Sequence, residues 1–280
     1  MPELPEVETV VRGLKSVLPG RRILRVRLGK TDFIEDPAAL ERQLPGSRIR
    51  DVRRHGKFLV FDLESPDPDS AKGSLLVHLG MTGQLVVCFP ESRIAPHTHA
   101  FLSLDDGREL RYVDIRRFGR IRLLANGSHG SVLEKLGLDP LDATEDQFAS
   151  IMRGRRAQTK ALLLDQRVLR GMGNIYTDES LWRARIHPKR LASNLAQDEL
   201  RRLRRSIREI LTEAIRFRGS SVSDYVDSQG VPGEFQLRHR VYQREGKPCF
   251  RCGRKISRIV VAGRSSYFCG RCQPSPRSRR

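Results

Sequence analysis

Phe58-Leu-Val-Phe-Asp-Leu63, then Ser74-Leu-Leu-Val-His-Leu79, then Gln84-Leu-Val-Val-Cys-Phe89 read as three strands in succession. Each run is short, rich in β-branched or aromatic side chains, and bounded by Gly, Pro, Ser or Asp. Working outward, residues 23–28, 100–104, 110–113 and 121–124 have the same character, so the pattern runs from Arg22 to Leu124. Many short strands separated by turn residues predict an antiparallel sandwich or barrel. Residues 65–73, Ser-Pro-Asp-Pro-Asp-Ser-Ala-Lys-Gly, read as a solvated hairpin loop. Upstream, residues 6–18 put Val7, Val10, Val11, Leu14, Val17 and Leu18 at spacings of three and four, the signature of one helical face. Pro5 precedes that helix and Pro19-Gly20 stops it.

Downstream, residues 125–130 form a Gly/Ser/Asn-rich break, and the period beyond it becomes helical. Thr144 caps an expected helix over 145–153. Residues 160–164 and 177–185 predict two short helices on either side of Arg170-Gly-Met-Gly-Asn-Ile, the second stopped before Pro188. Residues 197–217 predict the longest helix, with Leu200, Leu203, Ile207, Ile210, Leu211, Ala214 and Ile215 on one stripe. Its other face carries Arg201, Arg202, Arg204, Arg205 and Arg208, which read first as a solvated face. Residues 219–233 read as a mobile loop, and 274–280 as a disordered basic tail.

Four of the five cysteines form Cys249-Phe-Arg-Cys252 and, sixteen residues later, Cys269-Gly-Arg-Cys272. Two C-x-x-C turns at this separation match a tetrahedral zinc site on two tight knuckles. Two disulfides are the alternative. The acidic N-terminus, Met1-Pro-Glu-Leu-Pro-Glu6, lacks the apolar core of a secretory signal, so a reducing compartment and zinc are favoured. Four thiolates leave the metal no open position, which makes it one structural zinc ion. Residues 256–261 and 267–268 predict a hairpin between the knuckles, with Ala262-Gly263 as its turn. Cys88, alone in an apolar run, reads as a small buried hydrophobe.

The 280 residues carry 52 Lys+Arg against 33 Asp+Glu, a net charge of +19, and only nine of the bases are lysine. The excess is uneven: +4 over residues 1–130 and +15 over 131–280. Arginine grips phosphate through a planar fork, so nucleic acid is the first candidate partner. An anionic membrane surface, the alternative, would favour a basic amphipathic helix with exposed aromatics, and none is obvious in the sequence. No apolar run approaches the roughly 20 residues that span a bilayer. Charge alone also fits an RNA-binding or ribosomal protein. At 38% hydrophobic residues the composition is that of a folded chain.

Pro2 adds chemistry. Initiator methionine before proline is expected to be removed, which frees a secondary α-amine. An α-amine has a pKa near 8 against roughly 10.4 for lysine, so far more of it is neutral and nucleophilic at neutral pH. Glu3 is adjacent and Glu6 one helical turn on; an amine beside a carboxylate suits attack at a sugar C1′ with proton shuttling. A frayed terminal proline is the ordinary alternative.

Met1-Pro-Glu-Leu-Pro-Glu-Val-Glu-Thr9, Gly171-Met-Gly-Asn-Ile-Tyr176 and the C-terminal four-cysteine finger, in that order over essentially the whole chain, resemble bacterial formamidopyrimidine-DNA glycosylases. The resemblance implies an α+β fold: an N-terminal antiparallel β-sandwich with an N-terminal helix over 1–130, a helix–two-turn–helix domain over 131–235, a zinc finger over 236–274 and a tail over 275–280. It implies a monomeric, cytoplasmic, nucleoid-associated bacterial enzyme that excises 8-oxoguanine and formamidopyrimidines from double-stranded DNA and then nicks the strand as an abasic-site lyase.

Carried over residue by residue, Pro2 is the nucleophile and Glu3 the acid/base. Glu6 is either a pocket residue or a helix N-terminal acid. Lys57 and His97 are phosphate contacts at the lesion. Met81, Arg116 and Phe118 enter the helix where the base departs; an extended backbone would put Arg116 and Phe118 on one side. Asn174 and the finger residue Arg264 hold phosphates, and Cys249, Cys252, Cys269 and Cys272 hold zinc. Two alternatives are the sister class acting on oxidised pyrimidines, which starts Met-Pro-Glu-Gly where this chain has Leu4, and a non-catalytic nucleic-acid-binding protein on the same scaffold.

Overall fold

The computed structural model describes residues 1–65, 73–124 and 130–275. The loop expected at 65–73, the break at 125–130 and the tail from 274 lie wholly or mostly outside them. The chain divides into two compact units: Met1–Lys135 with Phe217–Glu234, and Leu136–Arg216 with Phe235–Arg280. The sequence reading carries the helical domain through to 235, whereas the stretch after the long helix packs with the first unit.

In the first unit, α1 (Leu4–Lys15) is followed by β1 (Ile23–Leu28), α2 (Pro37–Gln43), β2 (Arg48–His55), β3 (Phe58–Glu64), β4 (Gly73–His78), β5 (Gly83–Cys88), β6 (Thr98–Leu104), β7 (Glu109–Asp114), β8 (Arg120–Leu124) and α3 (Gly130–Glu134). The strands form two four-stranded sheets, β1-β6-β7-β5 and β2-β3-β4-β8, in which all neighbours run antiparallel. One core joins them: Leu59, Phe61 and Leu63 of β3, Leu85 of β5 and Leu102 and Leu104 of β6 belong to the same buried cluster. Helix α1 adds Val7, Val10, Val11 and Leu14 to it, and Arg54 of β2 pairs with Glu8 of α1 at 2.8 Å.

Strand β2 is absent from the sequence reading. Its core residues Ile49 and Val52 are three apart rather than two, because a bulge interrupts the register between Ile49 and Asp51. Helix α2 buries little beyond Leu40; its start is marked by Asp36, whose carboxylate accepts the N–H of Ala39, and by Pro37 in the first turn.

The second unit contains α4 (Glu145–Met152), α5 (Thr159–Leu164), α6 (Asn174–Ala184), α7 (Gln197–Arg216) and the hairpin β9 (Ser257–Val261)–β10 (Arg264–Phe268). Thr144 and Gln147 form the expected capping box. Helix α6 starts at Asn174, three residues earlier than its apolar pattern indicates, with Gly173 as N-cap. In the finger, Trp182 of α6, Val241, Cys249, Ile256 and Cys269 make a small core of their own. No helix among the described residues is long and apolar enough to cross a membrane.

Candidate functional site

Pro2 lies buried immediately ahead of α1. Glu3 is the N-cap of that helix and Glu6 its third residue, and the two make a reciprocal capping box. Glu6 accepts the N–H of Glu3 at 2.8 Å through one oxygen and the N–H of Ser220 at 2.7 Å through the other. Both carboxylates are nearly sealed from solvent, Glu3 at 3% and Glu6 at 1% exposure. Glu6 is therefore more than a helix-dipole acid: it ties the start of α1 to the segment after α7. Tyr225 extends the tie by donating to the Glu6 carbonyl at 3.2 Å. Gln84 donates to the Asp224 carbonyl at 2.6 Å and Val87 N–H to the Ser228 carbonyl at 3.0 Å. The segment read as a mobile loop is thus moored to α1 and β5.

Lys57 occupies the tight turn between β2 and β3 and is only 8% exposed. His78, at the end of β4, meets the Phe58 ring at a tilt with centroids 5.0 Å apart, and its Nδ1 accepts the N–H of Gly80 at 3.1 Å. Burial, with the Lys57 and Arg120 charges nearby, lowers His78 to about 4; burial likewise lowers His239 in the second unit to about 4. Unfolded histidine takes its proton near pH 6.5, so this stability is complete above that value and is lost as pH falls towards 4. Each histidine can contribute on the order of 3 kcal/mol across that window. The thermal midpoint should fall between pH 6.5 and 4, and His78→Gln should shallow the slope. An unchanged slope in that variant would show His78 to be charged in the folded chain.

His97 precedes β6 rather than lying in it, and has the left-handed φ of 65°. It is exposed, whereas His99 is buried with Nε2 3.1 Å from the Asp114 carbonyl.

Met81, Arg116 and Phe118 come together on two loops, β4–β5 and β7–β8. An Arg116 Nη lies 3.2 Å from Met81 Sδ, and its guanidinium covers the Phe118 ring at 4.4 Å. Met81 and Phe118 remain 37% and 52% exposed, large apolar groups held out to solvent. The stretch is not extended, as the same-side argument assumed. Arg117 is left-handed at φ 54°, and the turn brings its neighbours together. The two loops touch so closely that Gly80 is required, and the Tyr112 hydroxyl of β7 leaves room for nothing larger at Gly119. A Cβ on Gly80 would lie 2.4 Å from the Phe118 backbone, and one on Gly119 1.7 Å from the Tyr112 hydroxyl.

In the second unit, Asn174 opens α6 and donates through Nδ2 to the Ser265 carbonyl at 2.9 Å. Arg264 is exposed at the start of β10, beside the Ala262-Gly263 turn, both of whose residues have positive φ. Three charged residues escaped the sequence reading. Lys160, fully buried, donates to Asp178 at 2.7 Å and to the Ser265 carbonyl at 3.0 Å. Asp178 also accepts the N–H of Tyr267 at 2.9 Å. Burial raises the Asp178 carboxyl to about 7 against the opposing pull of Lys160. Glu179 accepts the backbone N–H groups of Arg240, Val241 and Tyr242. Helix α6 thus grips the finger through three polar side chains. The adjacent Asp178-Glu179 within the helix expected at 177–185 is the one signal in the sequence, and the burial that gives it meaning is not visible there.

The four finger sulfurs lie within 4.8 Å of one another and none is disulfide-bonded. That spread fits four thiolates around one ion with metal–sulfur bonds of about 2.3 Å. Burial alone would raise the Cys249 thiol, but N–H groups of Arg251 and Trp182 donate to its sulfur and bring it down to about 6. Burial and the neighbouring sulfurs push Cys269 up and Cys272 up to about 12, so Cys249 is the sulfur that its fixed donors favour as thiolate.

Three family models match the chain: the formamidopyrimidine-DNA glycosylase N-terminal domain over residues 1–121, the formamidopyrimidine-DNA glycosylase H2TH domain over 136–226, and a zinc finger found in FPG and IleRS over 246–274. A formamidopyrimidine-DNA glycosylase of Solibacter usitatus is 44% identical over 275 residues, covering 98% of this chain and 99% of the relative. Among solved structures, a Lactococcus lactis FPG variant in complex with Fapy-dG-containing DNA superposes with a TM-score of 0.88 at 33% identity, over 98% of this chain and 100% of that one. The MutM (FPG) protein of Thermus thermophilus gives 0.85 at 42% identity, with the same coverage.

Proposed function

The chain belongs to the formamidopyrimidine-DNA glycosylase family, and from that premise we propose that it excises oxidised purines from duplex DNA and then cleaves the strand as an abasic-site lyase. The Lactococcus relatives were crystallised on Fapy-dG DNA and on abasic-site DNA. The lyase reading is supported by the start of α1: Pro2 is buried just ahead of the helix, and Glu3, the next residue, caps it.

With Met1 removed, the neutral Pro2 nitrogen attacks C1′, the bond to the purine breaks, and the proton shed by the amine goes to the departing base. The deoxyribose ring opens as O4′ takes a proton, supplied by Glu3, leaving an iminium between Pro2 and C1′. The Glu3 carboxylate left by that transfer takes the C2′ proton, the C2′–H electrons flow towards the iminium, and the 3′ phosphate leaves by β-elimination. Repetition along the conjugated chain expels the 5′ phosphate by δ-elimination, and hydrolysis frees Pro2.

Lys57 and His97 hold phosphates flanking the lesion. Met81 and Phe118 fill the gap left by the extruded base, and Arg116 faces the orphaned cytosine. Asn174 and Arg264 take phosphates in the second unit, where the net charge concentrates. The four thiolates of Cys249, Cys252, Cys269 and Cys272 hold one structural zinc. The enzyme acts as a monomer on bacterial chromosomal DNA in the cytoplasm.

The sister activity on oxidised pyrimidines is the second reading, and a Lactococcus FPG has been crystallised with oxidised-pyrimidine DNA. Leu4 in place of the sister class's glycine favours purines. In competition between 8-oxoguanine and thymine glycol duplexes, the 8-oxoguanine strand should be cut first. Faster cutting of thymine glycol would reverse the assignment, and binding without cutting of either would leave only the non-catalytic scaffold.

A further inference from the structure

Asp114, the last residue of β7, is completely buried. Its carboxylate is the common acceptor for both loops that carry Met81, Arg116 and Phe118. One oxygen accepts the Thr82 hydroxyl and, at 3.3 Å, the N–H of Arg116. The other accepts the Tyr112 hydroxyl at 3.0 Å and the N–H of Gly119 at 2.9 Å. Thr82 itself accepts the Arg116 N–H at 3.1 Å, so its only hydrogen is committed to Asp114. Burial and the Asp114 charge both keep the Tyr112 phenol protonated, and hence a donor. Thr82 follows Met81 directly, and Arg116 and Gly119 bracket the turn that carries Phe118.

We infer that Asp114 is a positioning residue that locks the Met81 turn and the Arg116–Phe118 turn into one preassembled wedge. The inference rests on the wedge role given to those three side chains above. An acceptor shared by two loops fixes their separation, and here it also satisfies a left-handed turn at Arg117. Loops already ordered before DNA arrives need no ordering while the base is being displaced. Asparagine at 114 has the same shape but turns one oxygen into an NH2 group facing donors. Either the Thr82–Arg116 side or the Tyr112–Gly119 side then loses its acceptor.

The test uses the full zinc-loaded chain and a duplex with a tetrahydrofuran abasic analogue opposite 2-aminopurine, which cannot be cleaved. Entry of the wedge changes the 2-aminopurine fluorescence. Asp114→Asn should slow that change roughly tenfold, the kinetic equivalent of one lost buried hydrogen bond. Thr82→Val should slow it less, and Thr82→Ser should restore the wild-type rate. On lesion duplexes, Asp114→Asn should also flatten the preference for cytosine over adenine opposite the lesion, which mere loss of stability would not do. Thermal midpoint and zinc content identify any variant that fails to fold, and Thr82→Val then decides alone. Wild-type insertion rates in both Asp114→Asn and Thr82→Val would overturn the inference, as would a wild-type chain that produces no fluorescence change. A wild type that inserts but never excises leaves Asp114 supported and overturns the enzymatic reading instead.

Discussion

Pro2→Gly should lower strand scission on an 8-oxoguanine·cytosine duplex by roughly a hundredfold or more, the scale of loss when a reacting group is misplaced. Two physical changes act together. A secondary amine forms an iminium that is cationic without further protonation, whereas glycine's primary amine forms an imine that must first gain a proton to draw electrons. The pyrrolidine ring also fixes φ ahead of the capping box at Glu3, and glycine releases that constraint. DNA binding should change little, because the charges that attract the duplex lie elsewhere. A retained Met1 should be more damaging still, since it converts the Pro2 nitrogen into an amide. N-terminal sequencing of the active preparation checks this directly.

The second large effect concerns the finger. Its buried core is only a handful of residues, Trp182, Val241, Cys249, Ile256 and Cys269. So small a cluster cannot offset the entropy of ordering the hairpin, and metal binding, worth about 10–16 kcal/mol in isolated fingers, supplies the difference. Cys249→Ser, or exposure to a strong chelator, should release the metal and weaken duplex binding by on the order of a hundredfold or more near 0.1 M salt, because Arg264 and its neighbours lose their fixed placement. Metal analysis and a salt titration of binding read both effects. Tight binding by a metal-free chain would show that the finger is not an ordered part of the interface.

The strands of the sandwich were legible because each carries enough apolar side chains to show its period. Strand β2 was not, because its bulge moves Val52 out of step with Ile49. Helix α6 was placed late because its first turn, Asn174-Ile-Tyr, looks like loop until Gly173 is seen as its cap. The four-cysteine cluster could be read from local spacing alone, whereas Pro2 and Glu3, which alone fit a frayed terminus equally, gained their proposed roles only in combination with the rest of the chain. Met81, Arg116 and Phe118 were named on resemblance, but the geometry joining them is a turn and not the strand alternation expected. Asp114, Lys160, Asp178 and Glu179 were invisible for a common reason. A charged residue acquires its meaning from partners distant in the chain, such as Thr82 for Asp114 and Ser265 for Lys160. Without those partners each reads as surface.

Reduction with sodium borohydride during turnover on an 8-oxoguanine·cytosine duplex probes the covalent step itself. The predicted result is a one-to-one protein–DNA adduct, with peptide mass spectrometry placing the bond on the nitrogen of Pro2 in a chain that lacks Met1. Complete strand scission with no adduct, or an adduct carried by a lysine such as Lys57 with Pro2 unmodified, would contradict the account.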